Sequence, residues 1–313
     1  MRSFAEVEQA VRDYPIKDLA VAVAEDHTVL EAVAEAVGRN MVRAILVGNE
    51  MAIRATAEEH KINLGESTVV HERDPIRAAA TATAMVSRGD ADILMKGHIH
   101  TDDFLRAVLD KEKGLRAGSI MSHVYIVEHP SREQFLFLSD GAMNIAPDLA
   151  TKAAIILNAV HVAHCFGVEE PKVAVLAAIE LVNPAMPATI DAATLHIMGE
   201  RGQFSPKCII DGPFGFDNAI NPWAAEHKKI GGPVAGRADV LIVPDIEAGN
   251  MLAKSFVYMA GLTVAGLVVG AKAPIVLTSR ADNAAAKLAS IACAVYTAST
   301  VRSLRLKVGK VHY

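Results

Sequence analysis

The stretch IVLTSRADNAAAKLASIA, residues 275–292, places the hydroxyl of Ser279, the guanidinium of Arg280 and the carboxylate of Asp282 within four residues. They sit where an apolar run gives way to an alanine-rich, helix-patterned one. A guanidinium fork binds oxyanions such as phosphate through paired, charge-assisted hydrogen bonds. A hydroxyl at a strand end, near the backbone N–H groups of a helix start, can steady negative charge as it develops. A neighbouring carboxylate can orient or accept a proton. Capping is the competing reading, since Thr278, Ser279, Asp282 and Asn283 all suit a helix N-cap.

Five further polar clusters begin where an apolar run stops: KGHIHTDD, SDGAMN, IELVNP, DGPFGFDNA and PDIEAGN. Ligands of parallel sheets gather beyond the carboxyl ends of strands, so these clusters are the places to look for a site. GHIHTDD has two histidines and two carboxylates, the donors of a metal site. Asp102 and Asp103 equally suit the first turn of a helix, where the dipole favours negative charge, and a metal site is the less favoured reading. His161 and His164 lie three apart beside Cys165 with no further ligand evident, and no metal is expected there. Asn250 and Lys254 share a helix face at i, i+4. Asn144 follows a glycine-containing turn in which asparagine is also common for local reasons.

The elements that must hold these clusters read as α/β. DLAVAVAE, VRAILVGN, STVVHE and ADILMKG are strand-like, each followed by a helix-period segment such as DPIRAAATATAMVSRG. Continuous apolar strands separated by helices imply parallel sheets covered on both faces. SHVYIVEH and QFLFLSDG stand close together and predict an antiparallel hairpin at a sheet edge. After a long helix the alternation resumes with KVAVLAAIE, KCIIDGPFG, ADVLIVPD and AGLVVGAKAPIVLTS. The expected division is a discontinuous first α/β domain, residues 1–144 with 276–313, and a second over 145–275. A final helix over Asp282–Ala298 is expected to return to the first.

Bulk properties narrow the function. The chain has 313 residues, of which 51% are hydrophobic, 21% charged and only 5% aromatic. That suits a packed globular protein with an Ala/Val/Ile/Leu core and argues against disorder. A formal charge of −5 gives no general attraction to nucleic acid or anionic membrane, so anionic ligands must be held by local Arg and Lys. Cys165, Cys208 and Cys293 are widely spaced and odd in number, which implies no disulfide framework and a cytoplasmic location. The amphipathic MRSFAEVEQAVRDYP lacks a secretory signal's apolar core. The apolar stretch from Met259 to Ala271 is glycine-broken and falls short of the roughly 20 residues a membrane helix needs. No membrane partner is expected.

With these clusters in place, the chain resembles the phosphate acetyltransferase/phosphate butyryltransferase family, closer to the butyryl branch. The blocks that carry the resemblance run in order. They are LMKGHIHTDDFLRAVLDKEKGLRAGSIMSHVYI, DGAMNIAPDLATKAAIILNA, LAAIELVNPAMPATIDAATL, IIDGPFGFDNAIN, VAGRADVLIVPDIEAGNMLAKSF and AGLVVGAKAPIVLTSRAD. The resemblance implies two α/β domains separated by a cleft, an isocitrate-dehydrogenase-like architecture, and a homodimer. It implies the reversible reaction of acyl-CoA with phosphate to give acyl phosphate and CoA. Coenzyme A would be a substrate, with no tightly bound cofactor.

By the same resemblance Ser279 and Arg280 lie in the active cleft, with Asp282 the nearest substitute for the family's thiol-handling aspartate. His100, Thr101 and Arg106 match a phosphate or acyl-phosphate contact. Asp140 and Asn144 are placed at the same cleft. Glu180, Asn183, Asn250 and Lys254 complete the candidate substrate-binding set.

Acyl transfer between sulfur and phosphate oxygen needs a bound phosphate, a steadied carbonyl oxygen and a way to move the thiol proton. Arg280 and Arg106 suit the first and Ser279 the second. For the third, a carboxylate near ~4 is a poor base for a thiol near ~8.5. Asp282 must therefore be raised by burial or act only to orient. Two other readings are weighed. A metal-dependent dehydrogenase of a phosphorylated substrate would need converging His or Asp ligands and a nicotinamide site, yet no GxGxxG fingerprint is present. A non-catalytic relative that binds acyl-CoA or acyl phosphate is the other.

Overall fold

The computed structural model describes residues 1–130, 132–304 and 309–312. Helices and strands alternate from the start, with a 3-10 turn over Val11–Asp13 after the first helix. They are α1 (Phe4–Ala10), β1 (Lys17–Ala22), α2 (His27–Gly38), β2 (Val42–Gly48), α3 (Glu50–Glu59), β3 (Thr68–His71), α4 (Pro75–Arg88), β4 (Ile93–Lys96) and α5 (Thr101–Val108). Local chemistry sets the helix starts. Asp26 accepts from the Val29 N–H and Asp74 from those of Ile76 and Arg77, with Pro75 in the first turn of α4. Gly89 ends α4 at φ 85°, a left-handed conformation that suits glycine.

The middle of the chain supplies β5 (Ser122–Val127), β6 (Leu136–Ser139), α6 (Leu149–Cys165), β7 (Lys172–Leu176), α7 (Pro187–Glu200), β8 (Phe204–Ser205) and β9 (Ile209–Phe214). Short helices α8 (Phe216–Ile220) and α9 (Pro222–His227) follow, then β10 (Val240–Ile242) and α10 (Ile246–Tyr258). The chain closes with β11 (Val264–Val269), β12 (Ile275–Val276), α11 (Ala284–Leu304) and β13 (Lys310–Val311).

Two compact units result. The first comprises Ser3–Ser119 and Ala265–Leu304. The second comprises Met1–Arg2, Ile120–Val264 and the described residues 309–312. In the first, the strand order is β3-β2-β1-β4-β12-β11. Pairing is parallel from β3 to β12, with Leu19 opposite Ala44 and Ile93, and Leu94 opposite Ile275. β11 runs antiparallel to β12. Every residue of β4 and β12 is buried, as continuous apolar runs in a covered parallel sheet should be.

In the second unit the order is β5-β6-β10-β7-β9, parallel from β6 onward. The expected antiparallel pairing of SHVYIVEH with QFLFLSDG is present, Tyr125 lying opposite Leu138. Phe214, Leu138, Leu241 and Phe256 belong to its buried cluster. β13 pairs antiparallel with β8.

Both divisions fall earlier than the 144/145 and 275/276 read from the sequence, and strand pairing is the reason. β5 and β6 join the later strands through β6–β10 pairing. β11 and β12, expected in the second domain, add to the first unit's sheet beside β4. Residues 305–308 and 313 of the expected first domain lie outside the described residues.

Candidate active site

The Ser279–Arg280 corner lies in the first unit, just past β12 and before α11. The apolar pair Ile275–Val276 stays buried beside β4, and the chain leaves the sheet at buried Thr278. Asn283, not Asp282, caps α11: its Oδ1 accepts from the Ala286 N–H at 2.9 Å. Asp282 instead reaches back, its Oδ2 accepting from the Ser279 N–H at 2.8 Å. The Ala281 N–H donates to Ser279 Oγ at 3.3 Å. The backbone N–H groups of Ser279 and Ala281 are therefore already engaged within the turn. The Ser279 hydroxyl accepts inside the turn, and its own hydrogen has no assigned acceptor among the described residues.

Beneath this corner lies a small cavity of about 10 Å³ lined by Asp26, Lys96, His98, Ser279, Arg280 and Lys287, with Val29, Gly97 and Thr278. That volume admits one water-sized group. Ser279, Arg280 and His98 are exposed at its mouth, while Lys96 and Lys287 are buried, at 3% and 2% exposure. Lys287 donates through Nζ to the carbonyl oxygens of Ser279, at 3.4 Å, and Asp282. Lys96, at the end of β4, donates to the Gly97 carbonyl at 3.3 Å. Gly97 is required here, because a Cβ would stand 2.1 Å from the Val23 carbonyl oxygen.

Three cationic side chains thus meet two carboxylates, a balance that suits an anion. Burial pushes the Lys96 ammonium down to about 8, and the charges of Arg280 and Lys287 push the same way against Asp26 and Asp282. Burial also lowers Lys287, opposed by Asp282 and Asp26. For Asp26 burial is the largest influence and works upward. Hydrogen bonds from the Thr28 hydroxyl, at 2.6 Å, and the Val29 N–H outweigh it and leave the carboxyl below its usual value.

His100 joins the corner from the start of α5, its Nδ1 lying 3.5 Å from Arg280 Nη2. Thr101 opens α5, and Asp102 and Asp103 occupy its first turn as helix chemistry prefers. Arg106 is not brought to the cavity. Its guanidinium is 78% exposed and pairs with Asp103 Oδ1 at 3.1 Å, because one helical turn carries it back onto its own helix. Among the described residues, no three His, Cys, Asp or Glu side chains converge as a cation site requires. Burial lowers His161 and His164 and raises Cys165 and Cys208 to about 12, as expected of core residues.

The remaining candidates lie in the second unit. Asp140 is buried, and its carboxylate accepts from the Ala142, Met143 and Asn144 N–H groups and from Asn144 Nδ2. Asn144 Nδ2 also donates to the Met121 carbonyl, and Asn250 Nδ2 to that of Gly141 at 3.1 Å. These three residues form one loop-holding network. Asn183 Oδ1 accepts from Ala185 N–H in the turn before α7. Glu180 accepts from Asn218 and Lys228, and the Lys228 bond, its strongest influence, lowers its carboxyl. Lys254 is exposed on α10.

The sequence reading did not select Lys96, Lys287, Asp26 or His98. Lys96 carried a signal as the charged terminus of the apolar run DILM. Lys287 carried another, a charge at a position where the alanine-rich helix should be apolar. Asp26 reads as an ordinary N-cap.

With this geometry established, known proteins supply the comparison. Residues 4–79 and 71–295 match the family described as "Phosphate acetyl/butaryl transferase". The chain is 44% identical over 298 residues to a phosphate butyryltransferase of Clostridium beijerinckii, covering 95% of this chain and 98% of that one. It is also 44% identical to a phosphate acetyltransferase of Thermotoga maritima over 276 residues, 88% and 93% of the two chains. Among solved structures, a branched-chain phosphotransacylase from Enterococcus faecalis V583 superposes with a TM-score of 0.80 at 33% identity, over 90% of this chain and 99% of that one.

Proposed function

Because the chain belongs to the phosphate acetyl/butyryl transferase family, we propose that it moves a short acyl group reversibly between coenzyme A and inorganic phosphate. The observation that carries this reading is the exposed Ser279–Arg280 pair standing over the buried ammonium groups of Lys96 and Lys287. Arg280, backed by His100, holds the phosphate, since a guanidinium fork matches two of its oxygens. The Ser279 hydroxyl, anchored by the Ala281 N–H, donates to the thioester carbonyl oxygen as it becomes anionic. Asp282 fixes the Ser279 backbone and so positions that hydroxyl.

Phosphate attacks the thioester directly. Ser279 has no imidazole hydrogen-bonded to its Oγ among the described residues, and an acyl-enzyme would need such a base. Asp140, Asn144 and Asn250 shape the loop after β6. Glu180, Asn183 and Lys254, with Thr101 and Arg106, remain proposed substrate contacts. The protein acts as a cytoplasmic homodimer in this reading, in keeping with three buried free cysteines. No helix among the described residues is long and apolar enough to cross a membrane.

Release of free thiol from butyryl-CoA tests the reading. It should require phosphate strictly and persist in EDTA. Thiol release without phosphate, or none with it across C2 to C5 acyl-CoAs, would reject it. Parallel initial-rate lines would point to an acyl-enzyme instead.

A further inference from the structure

The proposed reaction leaves one step without a residue: the proton that must reach the departing sulfur. Asp282 Oδ2 accepts from the Ser279 N–H and holds the turn. Lys287 Nζ donates hydrogen bonds to two carbonyl oxygens. Asp26 Oδ1 is held by the Thr28 hydroxyl and Val29 N–H, and its Oδ2 faces His98 Nδ1 at 3.5 Å. Lys96 differs. It lines the same cavity as Ser279 and Arg280, is 3% exposed, and donates to a single carbonyl oxygen, that of Gly97. Among the described residues no carboxylate lies within ion-pair distance of its Nζ, so two of its three N–H bonds have no assigned acceptor. An ammonium taken out of water without a carboxylate partner is held against its own solvation preference. A cavity with room for one heavy atom lies beside it.

We propose, on the acyltransferase reading above, that Lys96 is a catalytic residue that passes the proton between phosphate and the coenzyme A sulfur. Starting from acyl-CoA, an oxygen of hydrogenphosphate forms the new C–O bond while the C–S bond breaks and its electron pair moves onto sulfur. The neutral Lys96 amine takes the proton the phosphate carried, and the ammonium so formed protonates that sulfur. Acyl phosphate and the free thiol leave, and Lys96 is a neutral amine again. In reverse, the neutral amine takes the thiol proton, the thiolate attacks acyl phosphate, and the departing phosphate is protonated by Lys96.

The surroundings favour this exchange. Burial, then Arg280 from the β12–α11 corner and Lys287 from α11, brings Lys96 to about 8, against Asp26 at the start of α2 and Asp282. That lies close to a thiol's ~8.5, the matching that makes proton transfer efficient in both directions. His98 lines the exposed mouth, and His100 faces Arg280 beside it.

The test uses the full chain with Lys96→Arg and Lys96→Met. Arginine keeps the charge but does not release its proton. In wild type, kcat/KM for CoA with butyryl phosphate should rise through about pH 8. Lys96→Arg should lose at least about 100-fold in kcat, keep its KM for phosphate within about threefold, and lose that rise. Lys96→Met should match it in kcat. Retention of more than a tenth of wild-type kcat by Lys96→Arg, with the same pH profile, overturns the proposal and leaves the acyltransferase reading intact. A Lys96→Arg defect confined to KM for phosphate also overturns it, making Lys96 an anion contact. Absence of phosphate-dependent thiol release in wild type removes both readings. Should either variant not fold, competitive acetylation of wild-type Lys96 by acetic anhydride decides. A reactivity midpoint near about 8 supports the proposal, and one above about 10 overturns it.

Discussion

The buried ammonium of Lys287 holds the carbonyl oxygen of Ser279 at 3.4 Å from inside the protein and also takes that of Asp282. A helix residue eight positions further along thus fixes the corner that presents Ser279 and Arg280. Lys287→Met should fold, since methionine fills a similar apolar volume. It should lower kcat at least tenfold by loosening the corner, with KM for CoA changing less. Unchanged kcat would show that the turn is held without it.

Removing the Ser279 hydroxyl tests the proposed steadying of the carbonyl oxygen. Ser279→Ala should reduce kcat by about 10²–10³ with little change in thermal stability, the effect of losing one donor to a developing oxyanion. Steady-state kinetics in both directions, set beside a melting curve, check this.

Asp282 separates positioning from proton transfer. Asn at this position can still accept from the Ser279 N–H through its amide oxygen, whereas Ala cannot. Asp282→Asn should keep kcat within about tenfold of wild type, and Asp282→Ala should fall well below that. Equal, severe losses in both would restore the carboxylate as the thiol base.

Lys96 also predicts a pH dependence of stability. Its folded value of about 8 lies below the ~10.4 of an unfolded lysine, so the unfolded chain binds the proton more tightly. From about pH 8 to about 10.4 this group therefore adds stability as pH rises, and below about 8 the full penalty is present. Lys96→Met should be more stable at pH 7, by up to about 3 kcal/mol, and the gain should vanish near about pH 10.4. Urea unfolding at several pH values measures it. A stabilised but inactive variant is the expected pattern for a group kept for chemistry.

The end of β4 offers a purely steric test. Gly97→Ala would put a Cβ 2.1 Å from the Val23 carbonyl oxygen and 2.7 Å from that of Ala22. Backbone on both sides leaves little room to yield, so a loss of about 3 kcal/mol is expected in denaturant unfolding.

The sequence by itself determined the α/β class and marked out the strand-end polar clusters, the Ser279–Arg280 corner among them. Those features are local: apolar runs alternate with helix-period segments, and a corner's chemistry lies within a few consecutive residues. Tertiary structure decided the rest. Pairing of β12 with β4 brought the corner beside Lys96 across about 180 residues, and α11 swung Lys287 beneath it. It turned Arg106 onto Asp103 and made Asp282 a backbone anchor in place of a cap. It also moved both divisions of the chain, because β5, β6, β11 and β12 belong with whichever strands they hydrogen-bond. Burial of a lysine depends on neighbours from distant segments, and no spacing along the chain encodes who those neighbours are.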